Sequence, residues 1–322
     1  MAKTQDIKRR IRSIGNTKKV TKAMEMVSAA KMRRAVEAVL KTRAYADLSW
    51  GTVLNLAESF KAKGNFHHPM LAPKDKPVNR IAVFLITSNR GLCGSFNSAV
   101  TALAHRFADK WKSQNQDATV DFILLGKKGS AIYRHFHHVV TSDFVKADLA
   151  DGIKEIVAPA QEITQDFLIG KYDKVYVAYT DFVSIARQVP KIKQLLPMDL
   201  EPADDHLGII NNDPRLGESK SDLDKKQQES LPHGDVTQEY IFEPSPEAVL
   251  DEMLPKLIQV QLYQALLESN ASEHSARMSA MNQATEAAGD MAAELTLFYN
   301  KARQASITAE IAEISAGVSA MK

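Results

Sequence analysis

All 12 prolines of this 322-residue chain fall between Pro69 and Pro255. The first 50 residues contain a single glycine, Gly15, and the 67 residues after Pro255 contain two, Gly289 and Gly317. Proline removes a backbone donor and clashes with the preceding helical turn, and glycine weakens a helix entropically. Both ends of the chain therefore read as long helices, and the turns belong to the middle. At 1.5 Å per residue, a helix over residues 4–61 would be about 85 Å long and one over residues 255–320 about 100 Å. A small domain is only about 30 Å across, so neither can be an ordinary core helix. Each must bury an apolar stripe against another long helix to be stable in water.

The stripes are present. Ile7, Ile11 and Ile14 are spaced four then three, as are Val20, Met24 and Val27, and Met32, Val36 and Val39. The phase slips between groups, so the pattern predicts an interrupted coiled coil. At the other end Met291, Leu295, Phe298, Ala302, Ala305 and Ala309 keep the same rhythm, and Ile307, Ile311, Ile314, Val318 and Met321 form a second stripe. Ser245-Pro246-Glu247 fits a helix start: a capping hydroxyl, a proline in the first turn and an acid near the positive end. Pro255 is expected to kink that helix or to mark where its straight part begins. Residues 1–50 carry 13 basic and 4 acidic side chains, and residues 243–322 carry 5 and 11. The opposite balances favour pairing of the two segments.

From Arg80 the pattern changes to short apolar runs. Residues 81–87 and 121–125 read as strands, 96–111 as an amphipathic helix, 126–136 as a loop and short helix, 153–169 as a helix and 174–179 as a strand, with 188–196 a further candidate. Alternating strands and helices predict a Rossmann-like α/β domain over residues 75–198. Residues 199–239 hold 11 acidic and 4 basic side chains without periodicity and read as an exposed acidic insertion. The lone Cys93 excludes a disulfide scaffold and a cysteine-based structural zinc site. No apolar run is long enough to span a bilayer, and the first residues lack the apolar core of a secretory signal.

Few residues suggest chemistry. The loop Asn89-Arg90-Gly91-Leu92-Cys93-Gly94-Ser95 follows a strand and opens a helix, where α/β folds bind phosphate. It matches neither glycine-rich phosphate motif, so the glycines are read first as turn residues. The clusters His67-His68 and His135, His137, His138 place adjacent rings in different directions, and no metal site is assigned to them. The basic face of the first helix lacks aromatic residues for stacking until Tyr45, which argues against nucleic acid and for an acidic protein partner.

Two stretches carry a family resemblance. Residues 20–35, VTKAMEMVSAAKMRRA, resemble the N-terminal signature of the γ subunits of F-type ATP synthases. Residues 268–313, with ARMSAMNQAT, LFYNKARQASIT and AEIAE, resemble that family's C-terminal helix. The Arg90–Gly94 loop and Phe242-Glu243-Pro244 match as well, and only residues 199–238 interrupt the likeness.

The resemblance implies a long antiparallel coiled coil of residues 1–62 and 243–322 plus the central α/β domain. It implies a non-catalytic rotor turning inside a hexamer of α and β subunits, with the α/β domain beside ε on the membrane c-ring. Proton flow through the ring would drive the rotor and cycle the β sites through their conformations. By position, Lys22, Met24 and Arg277 are expected to contact one β loop, and Arg303, Gln304 and Thr308 another. Glu243 is expected at the c-ring end. No cofactor or nucleic acid is expected, and the complex would hold the chain at the cytoplasmic face of a bacterial inner membrane. The competing reading is a coiled-coil adaptor whose α/β domain binds a nucleotide or phosphate.

Overall fold

The computed structural model describes residues 2–62, 68–71, 78–115, 118–147, 152–198 and 246–320. Glu243, Ser245 and the acidic insertion at 199–239 lie outside them. Two helices bound the chain: α1 (Ala2–Ala62), 61 residues long, and α5 (Pro246–Ala320), 75 residues long. Between them lie β1 (Arg80–Ile86), α2 (Phe96–Gln114), β2 (Thr119–Leu125), α3 (Ala131–Phe136), β3 (Val139–Phe144), α4 (Lys154–Leu168), β4 (Lys174–Phe182) and β5 (Gln188–Leu196). The chain divides into two compact units. A helical unit comprises Met1–Ala29 and Arg277–Lys322, and an α/β unit comprises Ala30–Ala276.

In the α/β unit the five strands lie in the order β3-β2-β1-β4-β5. The first four are parallel, and β5 returns antiparallel to β4. The central β1, RIAVFLI, is buried at six of its seven positions, as a strand covered on both faces must be. Its side chains alternate between two apolar clusters. Ile81, Val83 and Leu85 pack with Val100, Ala104 and Ala108 of α2. Ala82, Phe84 and Ile86 pack with Ile156, Ala160 and Ile163 of α4 and with Leu254, Leu257 and Ile258 of α5.

The sequence reading did not assign β3. This strand has one neighbour and half-exposed alternating positions, so it lacks the apolar run that marked β1. At the end of β2, Gly126 has φ +106°, and a Cβ there would lie 2.3 Å from the Thr87 carbonyl oxygen. Only glycine fits this turn.

The segment of α5 within the α/β unit is buried on every face from Leu262 to Ser275. Directional contacts fix it to the sheet. Ser272 Oγ donates to the Thr180 carbonyl at 3.1 Å, and Ser275 Oγ to the Ile185 carbonyl at 2.8 Å. Lys146 Nζ and Glu273 Oε2 form an ion pair at 2.6 Å with both side chains buried. Pro255 neither starts nor ends the helix, which begins at Pro246 and continues through it. The missing N–H leaves the Asp251 carbonyl without its helical donor, and Asp251 is an exposed residue.

In the helical unit the Thr21 and Thr285 hydroxyls hydrogen-bond at 2.8 Å. A Cβ on Gly289 would meet Lys18 Nζ at 2.9 Å. Contacts that fall from 21 to 18 along α1 rise from 285 to 289 along α5, so the helices are antiparallel. In this unit Ile7, Thr21 and Ser28 of α1 are buried and Ile11, Ile14, Gly15, Met24, Glu25 and Ala29 are half-buried, with Ile7, Ile14, Thr21 and Ser28 at seven-residue intervals. Met281, Ala288, Leu295 and Ala302 repeat likewise on α5. The seam keeps Ile7, Ile11, Ile14, Met24, Leu295 and Ala302 of the predicted stripes and departs from them elsewhere. Val20 and Val27 are 58% and 56% exposed, and Met291 and Phe298 are 55% and 53% exposed. Thr21, Ser28 and Ala288 join larger apolar residues such as Ile7 and Met281 in the seam, while other large apolar residues face outward.

Candidate functional site

The predicted contact residues with described positions all lie in the helical unit. Lys22 is an exposed residue of α1, and its ammonium group pairs with Glu25 one turn on, at 2.9 and 3.1 Å. Met24 is half-buried. Arg277 is only 8% exposed, so it is not an ordinary surface charge. A buried arginine must have its charge compensated. Arg303, Gln304 and Thr308 are exposed, and the Thr308 hydroxyl donates to the Gln304 carbonyl at 3.0 Å.

The antiparallel register sets Arg277 opposite the region of Ala29. Lys22, Met24 and Arg277 therefore cluster within about 10 Å along the pair. Arg303, Gln304 and Thr308 lie about 40 Å further along α5. Six of the seven predicted residues thus form two separate groups, and Glu243 lies outside the described residues.

Sequence reasoning missed the groove beside the first group. Lys18, Lys19, Lys22, Ala23 and Met26 of α1 face Asn282, Thr285 and Glu286 of α5 across a shallow depression of about 590 Å³. Three ammonium groups surround an apolar floor, which suits a partner surface with acidic side chains around an apolar residue. The i, i+4 spacing of Lys18 and Lys22 marks this face in the sequence. The opposite helix that completes it cannot be read from that spacing.

The helical unit also exposes apolar surface that its own packing does not use. Val20, Met26 and Val27 on α1, and Met291, Leu297, Phe298, Ile307, Ile311 and Ile314 on α5, are each at least 42% exposed. Ala305 and Ala309 are exposed between the last of these. Apolar surface on this scale marks contact with other molecules.

In the α/β unit, the loop that suggested phosphate binding is closed by its own contacts. Ser88 Oγ donates to the Arg90 carbonyl at 2.6 Å, and Asn97 Oδ1 accepts from the Ser88 N–H at 3.0 Å. Asn97 Nδ2 lies 3.1 Å from the sulfur of buried Cys93. Positive φ at Leu92 and Gly94 produces the turn.

A family model described as ATP synthase matches residues 3–321. The ATP synthase gamma chain of Herpetosiphon aurantiacus is 40% identical over 326 aligned positions, covering 100% of this chain and 99% of the relative. That of Anaeromyxobacter sp. strain K is also 40% identical, with both chains covered in full. The acidic stretch at 199–239 falls inside these matched lengths. Among solved structures, a chain of the Euglena gracilis mitochondrial ATP synthase OSCP/F1/c-ring assembly aligns with a TM-score of 0.62 at 18% identity, covering 99% of this chain and 95% of that one. A chain of the Tetrahymena thermophila central stalk and c-ring aligns with a TM-score of 0.57 at 24% identity, covering 82% of this chain and 99% of that one. At these identities the structural likeness speaks for the fold.

Proposed function

The chain belongs to the ATP synthase gamma chain family, and from that premise we propose how its residues divide the work of a rotor. It is the central-stalk subunit of an F1Fo ATP synthase and couples c-ring rotation to conformational cycling of the catalytic β subunits. The subunit itself is non-catalytic. Its partners are the α and β subunits of F1, the ε subunit and the c-ring.

The observation that carries the assignment of contacts is the outward-facing apolar and basic surface of the helical unit. A pair of helices that closes its seam with Thr21, Ser28 and Ala288, and leaves Met26, Phe298 and Ile311 in water, is built to be enclosed. Lys22, Met24 and Arg277 form one contact with a β subunit, through the basic groove and its apolar floor. Arg303, Gln304 and Thr308 form a second, where small neighbours such as Ala305 and Ala309 let the surface pass a partner without large anchors. Glu243 makes the contact at the c-ring end. Among the described residues no helix is long and apolar enough to cross a membrane. The subunit is held peripherally through the complex, at the cytoplasmic face of a bacterial inner membrane.

Photocrosslinkers attached at Met24→Cys and Thr308→Cys in the assembled complex test the contacts. Both positions should yield adducts with β, and each adduct should stop ATP turnover by locking rotation. Adducts with c or ε at either position, or none in an assembled complex, would reject the assignment.

A further inference from the structure

The α/β unit contains a side-chain cluster that the rotor role does not use. His105 and Asp109 stand four residues apart on α2 and so share one helix face. His138 follows α3, where His137 at φ +56° reverses the chain. The reversal brings His138 back against α2. His105 Nδ1 lies 3.0 Å from His138 Nε2. His105 Nε2 lies 3.3 Å from Asp109 Oδ2, and His138 Nε2 lies 3.8 Å from Asp109 Oδ1. Among the described residues this is the one group of three or more His, Cys, Asp or Glu side chains whose ligand atoms converge, one from each residue, within 4.8 Å of one another.

We propose that His105, Asp109 and His138 bind a divalent transition-metal ion of the zinc class. Metal–ligand bonds of 2.0–2.2 Å set neighbouring ligand atoms about 2.9–3.6 Å apart in four- or six-coordinate geometry. Each imidazole offers one nitrogen to an ion, and with one atom from each residue the three ligand atoms lie within 4.8 Å of one another, so the side chains must close by roughly 1 Å on binding. Two imidazoles and a carboxylate make up a set that suits zinc and its neighbours, whereas magnesium and calcium sites are built from oxygen. The i, i+4 pair on a helix is the spacing with which helices present two ligands to one ion.

The rings are held in place. His105 stacks on Phe136 with centroids 4.0 Å apart, and His138 packs on Phe122 at 5.1 Å. The His138 side chain is 3% exposed, while those of His105 and Asp109 are 27% and 56% exposed. One side of the site is therefore packed, and the other is open for an ion to enter and for water to complete its shell. On binding, the hydrogen bond between the two rings is exchanged for two metal–nitrogen bonds, and the carboxylate offsets part of the ion's charge. The ion ties α2 to the turn before β3, the edge strand of the sheet.

Zinc titration of the purified, chelator-treated full chain, followed calorimetrically, tests this. One equivalent should bind. His138→Gln and Asp109→Asn should each weaken binding at least about tenfold. Zinc should raise the melting temperature of the wild type more than that of either variant at the same concentration. Asp109 is more than half exposed, so its Asn variant keeps the test informative if His138→Gln does not fold. Failure of the wild type to bind zinc in the micromolar range would overturn the site. So would unchanged affinity in Asp109→Asn, which would assign the binding to other histidines such as His135 and His137.

Discussion

Glu268 is fully enclosed on α5, and neither of its carboxyl oxygens has a hydrogen-bond partner. Burial, and then the neighbouring Asp181 carboxylate, push its pKa well above the ordinary carboxylate range, against the weaker opposing pull of Lys191 and Lys193. Asp181 is paired with Lys191 at 2.8 Å, so the retained proton belongs on Glu268. The folded state then binds a proton that the unfolded state releases above its ordinary pKa of 4.5. Stability must fall as pH rises above that value. Glu268→Gln keeps the shape and cannot ionise. It should be more stable than the wild type by about 1–3 kcal/mol at pH 8, with the advantage gone near pH 4. Urea melts at the two pH values measure this, and an advantage that did not change with pH would contradict it. Residues of this kind are poorly legible in a sequence, because a glutamate on a helix is usually solvated. The same holds for His105, Asp109 and His138: the histidine runs drew attention, while the ligands that meet His138 lie some thirty residues away. Lys22, by contrast, belongs to a basic face that local charge marks in the sequence, and it is exposed.

The long helices were legible from the absence of breakers, and β1 from its unbroken apolar run. The seam between α1 and α5 was legible only in part, at Ile7, Ile11, Ile14, Met24, Leu295 and Ala302. Hydrophobicity marks surface that leaves water, but it does not say whether the cover is the same chain or a partner. Val20, Val27 and Phe298 looked like seam residues and face outward, while Thr21 and Ser28 occupy the seam because small side chains let the helices approach. The seven-residue spacing of Ile7, Ile14, Thr21 and Ser28 was present all along, hidden by two hydroxyls. Continuity of α5 itself is testable. Ala302 is half-buried in the middle of an unbroken stretch, and Ala302→Pro removes a helical hydrogen bond and adds a steric clash. It should cost about 3 kcal/mol locally and abolish coupled ATP synthesis in membrane vesicles. Normal synthesis would mean that the helix need not be continuous there. Pro255 is tolerated because it lies near the start of α5, beside a solvent-exposed Asp251.

The charge division of the chain, basic at the start and acidic toward the end, is consistent with the antiparallel pairing of α1 and α5. The α/β class and the strand order along the chain were readable from alternating strand and helix patterns. The edge strand β3 and the antiparallel return of β5 were decided by neighbours that no local pattern names. We read the acidic stretch at 199–239 as a regulatory or species-specific segment apart from the rotor contacts. Its removal should leave a complex that assembles with α and β subunits in normal yield by co-purification. Loss of assembly would make the segment structural.

Apolar contacts have no preferred direction, so a helix held by them alone can slip around its axis. Within the α/β unit, α5 is instead keyed to the sheet at Ser272, Glu273 and Ser275 by bonds that exist only at one angle. The pair formed by Glu273 and Lys146 is buried, beyond the reach of dissolved salt. Torque applied to this stretch of α5 is therefore delivered to the sheet without backlash, at any ionic strength the cell meets.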